Sequence, residues 1–153
     1  MWFRVDNRLI HGQVIEGWLP YTGAAHLIVA NDALAGDLLR QQIMSLAIPH
    51  HVDVRFVPLK DLAGTLKECG DESFVLFENL QDVRTAARSG VTLNVLNIGN
   101  LHYGAGKKQL CTHVAVSEDD MAALRELVSG QGTELDFRAV PLEPGKIPDE
   151  FAL

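Results

Sequence analysis

The chain has 153 residues, of which 47% are hydrophobic, and its formal net charge at pH 7 is −7. This length predicts one domain that buries about 70% of the surface of the unfolded chain. The acidic balance excludes a general nucleic-acid or anionic-membrane surface, so any phosphate site must be a local basic pocket. Cys69 and Cys111 match no disulfide framework and are interpreted as free thiols in a reducing cytoplasm. The sequence shows neither a signal peptide nor an apolar run of the roughly 18 residues that span a bilayer.

Short apolar runs alternate with segments of helical periodicity along the chain. Strands are predicted near residues 2–6, 27–30, 52–57, 73–77, 93–98, 113–115 and 134–138. Helices are predicted at residues 12–21, 36–47, 59–69, 80–89 and 118–129, with Ser117 as the N-cap and Gly130 as the terminator of the fifth. The pattern predicts an α/β fold, a mainly parallel sheet of about six to seven strands with helices on both faces. The last two strands could form an antiparallel edge pair.

The C-terminal segment differs in composition. Residues 141–148 contain three prolines, which excludes a regular helix or a central strand. We therefore expect a single domain over residues 1–153, with residues 141–153 as an extended proline-rich tail.

One histidine lies where a ligand site is expected. His11 and Gly12 fall between the first strand and the first helix, and ligands of open α/β sheets bind beyond the carboxyl ends of the strands. Free N–H groups at the helix N-terminus, the helix dipole, Arg4 and Arg8 would stabilise an anion there. A neutral imidazole is a nucleophile, so His11 could carry a phosphoryl group. The alternatives are a histidine that only bonds the loop backbone and arginines that form surface ion pairs.

Other residues could support this site. Asp6 could orient His11 or pair with an arginine, and Gln13 could contact phosphate or cap the helix. The loop at residues 99–108 has three glycines and ends in Lys107 and Lys108. It could contact an anion or be a flexible solvated loop. It is not a Walker A motif, because Lys107 is followed by a lysine rather than Ser or Thr.

Other reaction classes lack their sequence patterns. No HExxH, paired Cys/His cluster or carboxylate array has metal-ligand spacing, so we expect no metal. No serine nucleophile elbow or spaced carboxylate pair indicates a hydrolase. The remaining histidines are weaker candidates, and Trp18 is expected in the core.

Residues 4–14, Arg-Val-Asp-Asn-Arg-Leu-Ile-His-Gly-Gln-Val, followed by Trp18, resemble the active-site segment of a known family. This family is the IIB subunits of the mannose/fructose/sorbose class of the bacterial phosphoenolpyruvate-dependent sugar phosphotransferase system (PTS). Residues 27–32, 75–79, 96–99 and 116–120 follow in the family's order. The resemblance therefore covers essentially the whole chain.

The resemblance implies a component of a protein-Nπ-phosphohistidine–sugar phosphotransferase. It would accept a phosphoryl group from a IIA subunit on Nδ1 of His11 and pass it to a sugar bound by membrane IIC and IID subunits. Arg8 would stabilise the transferred group with help from Arg4 and from Lys107 or Lys108. The N–H groups around Gly12 would complete the phosphate-binding site. No cofactor beyond the covalent phosphohistidine is implied. The protein would be cytoplasmic and peripheral to a membrane transporter, and would have no fused IIA domain because the chain begins just before its first strand.

Two residues depart from the family pattern. Asn7 stands where a second aspartate is usual, and Asn100 stands where a second glycine is usual. Two alternatives to sugar transport also stay open: a regulatory phosphocarrier in a system without a transporter, and a domain in which His11 only hydrogen-bonds a small anion. The sequence does not identify the sugar or the oligomeric state.

Overall fold

The computed structural model describes residues 1–152. Their strands are β1 (Trp2–Val5), β2 (His26–Ala30), β3 (Asp53–Val57), β4 (Ser73–Phe77), β5 (Val95–Ile98), β6 (Lys108–Cys111), β7 (Val114–Val116) and β8 (Glu134–Asp136). Six of them form a central sheet in the order β3-β2-β4-β1-β5-β8, in which all neighbours are parallel. β6 and β7 form a separate antiparallel pair.

The helices lie between these strands. They are a π-helical turn at Gln13–Trp18, α1 (Leu19–Thr22), α2 (Asp32–Ala35), α3 (Leu38–Ser45), α4 (Leu62–Cys69), α5 (Leu80–Arg88) and α6 (Glu118–Gln131), with short 3₁₀ turns at Leu59–Asp61, Gly70–Glu72 and Asp149–Phe151.

Two buried apolar clusters cover the two faces of the sheet. Along β2, Ile28 and Ala30 belong to one cluster and Leu27 and Val29 to the other, as the two-residue period of a strand requires. The first cluster includes residues of α4, α5 and α6, whereas the second includes Trp18 and residues of α1 and α2. The predicted α/β class with helices on both faces is confirmed, as is the core position of Trp18.

The predicted pairing of the last two strands is wrong. β8 pairs parallel with β5, and β7 pairs antiparallel with β6 instead. Sequence patterning missed β6 because its residues are Lys-Gln-Leu-Cys and none of them is fully buried, so the segment lacks an apolar run.

Cap residues explain most helix boundaries. Ser117 and Asp120 form a reciprocal capping box at the start of α6. This helix continues past the predicted terminator, Gly130, and ends before Gly132, whose φ of 68° only glycine adopts at little cost. The helix predicted at residues 36–47 is α3, which begins after Asp37, whose side chain accepts an N-capping hydrogen bond. The short helix α2 before it, capped by Asn31, was not predicted.

The C-terminal segment crosses the body without a regular helix or strand over residues 141–148. It ends in the 3₁₀ turn, where the ring of Phe151 lies 6.2 Å from that of Phe137. Leu153, the last residue of the predicted tail, lies outside the described residues. Within residues 1–152, no helix combines the length and the apolar character needed to cross a membrane.

Candidate functional site

The loop that carries His11 starts at the carboxyl end of β1, between its two neighbours in the sheet. The backbone N–H of Asp6 donates to the carbonyl of Phe77 in β4, and the N–H of Gly99 after β5 donates to Val5. The N–H of Asn7 donates to the carbonyl of Asn100. Three chain segments therefore meet at one edge of the sheet, where open α/β folds place their ligands.

His11 is oriented by a buried carboxylate. Its Nε2 lies 2.7 Å from Oδ2 of Asp6, whose side chain is fully buried. Its Nδ1 is buried and has no hydrogen-bond partner within residues 1–152. With the ring proton on Nε2 facing the carboxylate, Nδ1 carries a free lone pair. In this tautomer, Nδ1 is the ring nitrogen that is available for reaction.

Asp6 accepts hydrogen bonds on both carboxylate oxygens. Oδ2 accepts from Nη2 of Arg4 at 2.9 Å and from Nδ2 of Asn100 at 3.0 Å, while Oδ1 accepts from the backbone N–H of Arg8 at 2.9 Å. Burial alone would raise the pKa of Asp6, but the hydrogen bond with His11 and the charge of Arg4 outweigh it and lower the pKa from 3.8 to about 2. Asp6 is therefore a carboxylate throughout the physiological range.

Arg4 lies behind Asp6, and its side chain is fully buried. Its Nη1 donates to Oδ1 of Asn97 at 2.5 Å, its Nη2 donates to Oε1 of Gln13 at 3.2 Å, and its guanidinium lies 5.4 Å from the centre of the Trp18 ring. Burial lowers the pKa of Arg4, and the Asp6 carboxylate counteracts this. The structure thus places Arg4 where it neutralises Asp6, rather than at the solvent-facing side of the site.

Gly99→Ala tests how tightly Arg4 is enclosed. A Cβ at residue 99 would overlap the Arg4 guanidinium, at 2.7 Å from Nε, and the hydrogen bonds of Arg4 prevent it from moving aside. We expect a loss of about 2 kcal/mol in the free energy of unfolding, measured by urea denaturation. The matched control is Gly64→Ala in α4, where the new methyl group meets no atom within 4 Å. It should stabilise by about 0.5–1 kcal/mol, and equal effects of the two changes would contradict the tight packing.

Arg8 is the available cation on this loop. Its side chain is exposed and forms no ion pair with any residue in the described part of the chain. Leu9 beside it is buried with a φ of 56°, a strained conformation for a branched side chain. Gly12 then caps the π-helical turn, a form of helix that is frequent at functional sites. Arg8 and the start of this turn both lie within a few residues of His11 in the chain.

Gln13 and the two lysines have different surroundings. Oε1 of Gln13 accepts from Arg4 and from Nδ2 of Asn100 at 2.9 Å, and its side chain does not cap the turn. Nζ of Lys107 donates to the carbonyl of His102 within the loop. Nζ of Lys108 pairs with Glu150 of the C-terminal segment at 2.7 Å. The contacts within residues 1–152 therefore bring Gln13, but neither lysine, into the His11 cluster.

The two departures from the family pattern have structural roles. Asn7 donates through Nδ2 to the carbonyl of Glu78 and accepts through Oδ1 from the N–H of His102, at 2.7 and 2.8 Å. An ionised aspartate could not donate to Glu78, so Asn7 ties the loops after β4 and β5 together as an amide. Asn100 uses its amide group to bridge Asp6 and Gln13.

Sequence analysis missed the contributions of Asn97 and Asn100 to the site. Both side chains contact the Arg4–Asp6 pair from β5 and the residues after it. A polar residue within the apolar run of a central strand is a signal that could have identified Asn97, because buried polar groups need partners.

A half-buried carboxyl group near the same sheet edge is expected to give a pH-dependent stability. Burial, with the charges of Asp32 and Glu78, raises the pKa of Asp82 from 3.8 to about 6. A raised pKa means that the folded state binds more protons than the unfolded state between about pH 4 and pH 6, so stability falls as pH rises through this window. We expect Asp82→Asn to be more stable than the wild type by about 1 kcal/mol at pH 7, after allowance for solvent screening of a half-buried group.

Denaturant unfolding of the wild type and Asp82→Asn at pH 4 and pH 7 measures this effect. The difference between the two proteins should disappear at pH 4, where both side chains are neutral. A constant difference at both pH values would show that the substitution acts through packing or hydrogen bonding rather than through the charge of Asp82.

Known proteins are similar to this chain in sequence and in fold. Residues 1–148 match the family model of the PTS sorbose subfamily IIB component. The sorbose-specific EIIB component of Klebsiella pneumoniae is 38% identical over 144 residues, which cover 92% of this chain and 87% of that protein. The mannose-specific EIIAB component of Escherichia coli K12 is 32% identical over 144 residues, which cover 92% of this chain and 44% of that protein.

A solved structure also shares the fold of this chain. The crystal structure of an N-acetylgalactosamine IIB component of the PTS from Streptococcus pyogenes matches with a TM-score of 0.88 and 28% sequence identity, covering 94% of this chain and 90% of that one. The match in sequence over nearly the whole chain and the match in fold lead to one assignment. The chain belongs to the sorbose subfamily of IIB components, the phosphocarrier subunits of sugar phosphotransferase systems.

Proposed function

We propose that this IIB component carries the phosphoryl group on Nδ1 of His11. The main support is the difference between the two ring nitrogens of His11. Nε2 lies 2.7 Å from the buried Asp6 carboxylate, whereas Nδ1 has no hydrogen-bond partner within residues 1–152. Asp6 fixes the tautomer and stabilises the positive charge that the ring gains on phosphorylation, as carboxylates do for catalytic histidines.

The transfer is a displacement at phosphorus. The lone pair of Nδ1 forms the new N–P bond while the N–P bond to the donor histidine of a IIA subunit breaks and returns its electron pair to that imidazole. The Nε2 proton stays on the ring, hydrogen-bonded to Asp6. In the second transfer a sugar hydroxyl oxygen attacks phosphorus, the bond to Nδ1 breaks, and the hydroxyl proton leaves to a base of the acceptor complex.

The residues around His11 supply positioning and charge. Arg8 is exposed and free to contact the equatorial oxygens, and the N–H groups of Gly12 and Gln13 lie at the start of the helical turn. Arg4 acts on His11 through Asp6, because its guanidinium is buried against that carboxylate. Nδ1 is itself buried, so docking of the donor must move the His11 side chain or the residues that cover it.

The names of the relatives support a set of proposed partners. The mannose-specific relative carries the EIIAB designation, and this chain matches 44% of it, which supports a IIA component as donor. We propose that the acceptor is a sugar held by membrane IIC and IID subunits, on which the protein docks from the cytoplasm. The names of the relatives include sorbose, mannose and N-acetylgalactosamine, so they favour no single sugar. No observation favours the regulatory or the anion-binding alternative.

A transfer assay tests this function. A phosphorylated IIA component of a sorbose-subfamily system, shown to label the Klebsiella sorbose EIIB, is incubated with the protein. We expect phosphate on the intact chain that is labile in acid and stable in alkali. A donor that labels the Klebsiella protein but not this chain, with both proteins folded, would contradict the proposal.

A further inference from the structure

A second cluster of reactive side chains lies far from His11. It consists of His26, Asp53 and Cys69, and one nitrogen, oxygen or sulfur atom from each lies within 4.8 Å of the others. His26 and Asp53 are the first residues of β2 and β3, and Cys69 is the last residue of α4. The cluster therefore sits at the amino ends of the strands, whereas His11 follows the carboxyl end of β1.

The fold explains why the three side chains meet. His26 and Asp53 are register partners on neighbouring parallel strands, so their side chains point to the same face of the sheet. This is the face that Ile28 packs on and that α4 covers. The last turn of α4 brings Cys69 onto the ends of these strands, where it packs against the edge of the core. Three rigid elements thus hold one group each.

The donor set and the charges suit a divalent, thiophilic cation. Imidazole nitrogen, thiolate sulfur and carboxylate oxygen are the three kinds of ligand that zinc takes in proteins. Nδ1 of His26 and Oδ2 of Asp53 are 3.0 Å apart in a hydrogen bond, which a cation bound between the two atoms would replace. A thiolate and a carboxylate balance a double positive charge. Nε of Arg55 also donates to Oδ2 of Asp53 at 2.9 Å, and its Nη1 pairs with Glu68 at 2.9 Å, so a bound cation would replace the first of these contacts and leave the second.

We propose that His26, Asp53 and Cys69 form a Zn²⁺ site, completed by water. Asp53 is half exposed and His26 is about one-quarter exposed, so the cation can enter from solvent. The bound cation would tie the β2–β3 edge of the sheet to the end of α4, and its effect is on stability rather than on phosphoryl transfer. The spacing of residues in the sequence does not indicate this site, because its three residues are far apart in the chain.

Titration of the reduced protein with Co²⁺, in a buffer with a phosphine reductant, tests this site. Cobalt replaces zinc in tetrahedral sites, and a thiolate ligand adds a charge-transfer absorption that nitrogen and oxygen ligands do not give. We expect one Co²⁺ per chain with this absorption, its loss on addition of Zn²⁺, and a higher melting temperature with Zn²⁺. Cys69→Ser should abolish the absorption, and His26→Asn should weaken binding by at least about 10-fold.

Two variants are matched controls. Cys111→Ser removes the other thiol, whose pKa is raised by burial, and His51→Gln removes an exposed histidine outside the cluster. Both should bind Co²⁺ like the wild type. The proposal is overturned if the wild type gives no thiolate absorption, or if Cys69→Ser retains it, or if Cys111→Ser loses it.

Discussion

The His11→Ala variant is expected to accept no phosphoryl group from a phosphorylated IIA component, a loss limited only by the detection threshold of the assay. The alanine side chain has no nitrogen that could form the N–P bond, and the charges around the site cannot replace a nucleophile. The measurement is the amount of acid-labile phosphate on the intact chain after incubation with an excess of active donor.

His102→Ala is the matched control, because His102 is exposed on the neighbouring loop and only its backbone, not its side chain, forms hydrogen bonds among the described residues. This variant should be labelled like the wild type. Label on His11→Ala would show that another histidine is the carrier. Stability of His11→Ala is checked by urea unfolding, so that a lack of label is not mistaken for a lack of fold.

The Asp6→Asn variant is expected to lose both stability and transfer rate. The amide leaves the buried Arg4 without its counter-charge, which costs about 3 kcal/mol in the free energy of unfolding. The amide also no longer fixes the proton on Nε2 of His11, so we expect phosphoryl acceptance to slow by about 100-fold or more. Urea unfolding and single-turnover labelling under native conditions measure the two effects separately.

The pH dependence distinguishes a charge effect from a packing effect. The pKa of Asp6 is lowered in the folded state to about 2, so its contribution to stability is complete above the ordinary pKa and is lost as pH falls from about 4 towards 2. The difference in stability between the wild type and Asp6→Asn should therefore narrow below pH 4. Asp119→Asn, at an exposed ion pair with Arg84, should leave the stability close to that of the wild type, because solvent screens such a pair. A wild-type rate in Asp6→Asn would contradict the role of Asp6.

The strands were predictable where an apolar run is buried on both faces, as in β4, where all five residues are buried. The partner of each strand was less predictable. β8 is a short strand whose register partners lie in β5, and no local pattern distinguishes this parallel pairing from an antiparallel one with β7. The strand with which β8 pairs depends on how α6 packs against the sheet. The residues of β7 and β8 carry no information about that packing.

The part of the candidate site that is contiguous in the sequence was predictable. Arg4, Asp6, Arg8 and His11 lie within one short segment, and the family resemblance rests on that segment. The residue type alone does not show which arginine is buried, because Arg4 and Arg8 carry the same charge, and the predicted strand over residues 2–6 is the signal that separates them. The difference arises because Arg4 lies within β1, whereas Arg8 follows it on the loop. The partner of Arg4, Asn97, comes from a strand that is distant in the sequence.

The nitrogen of His11 that carries phosphorus is the central point of this account. Nuclear magnetic resonance of ¹⁵N-histidine-labelled protein after phosphorylation by a IIA component identifies that atom directly, from the coupling between phosphorus and nitrogen. We expect phosphorus to be bonded to Nδ1 and Nε2 to keep its proton in a hydrogen bond with Asp6. Phosphorus on Nε2 of His11, or on any other residue, would contradict it.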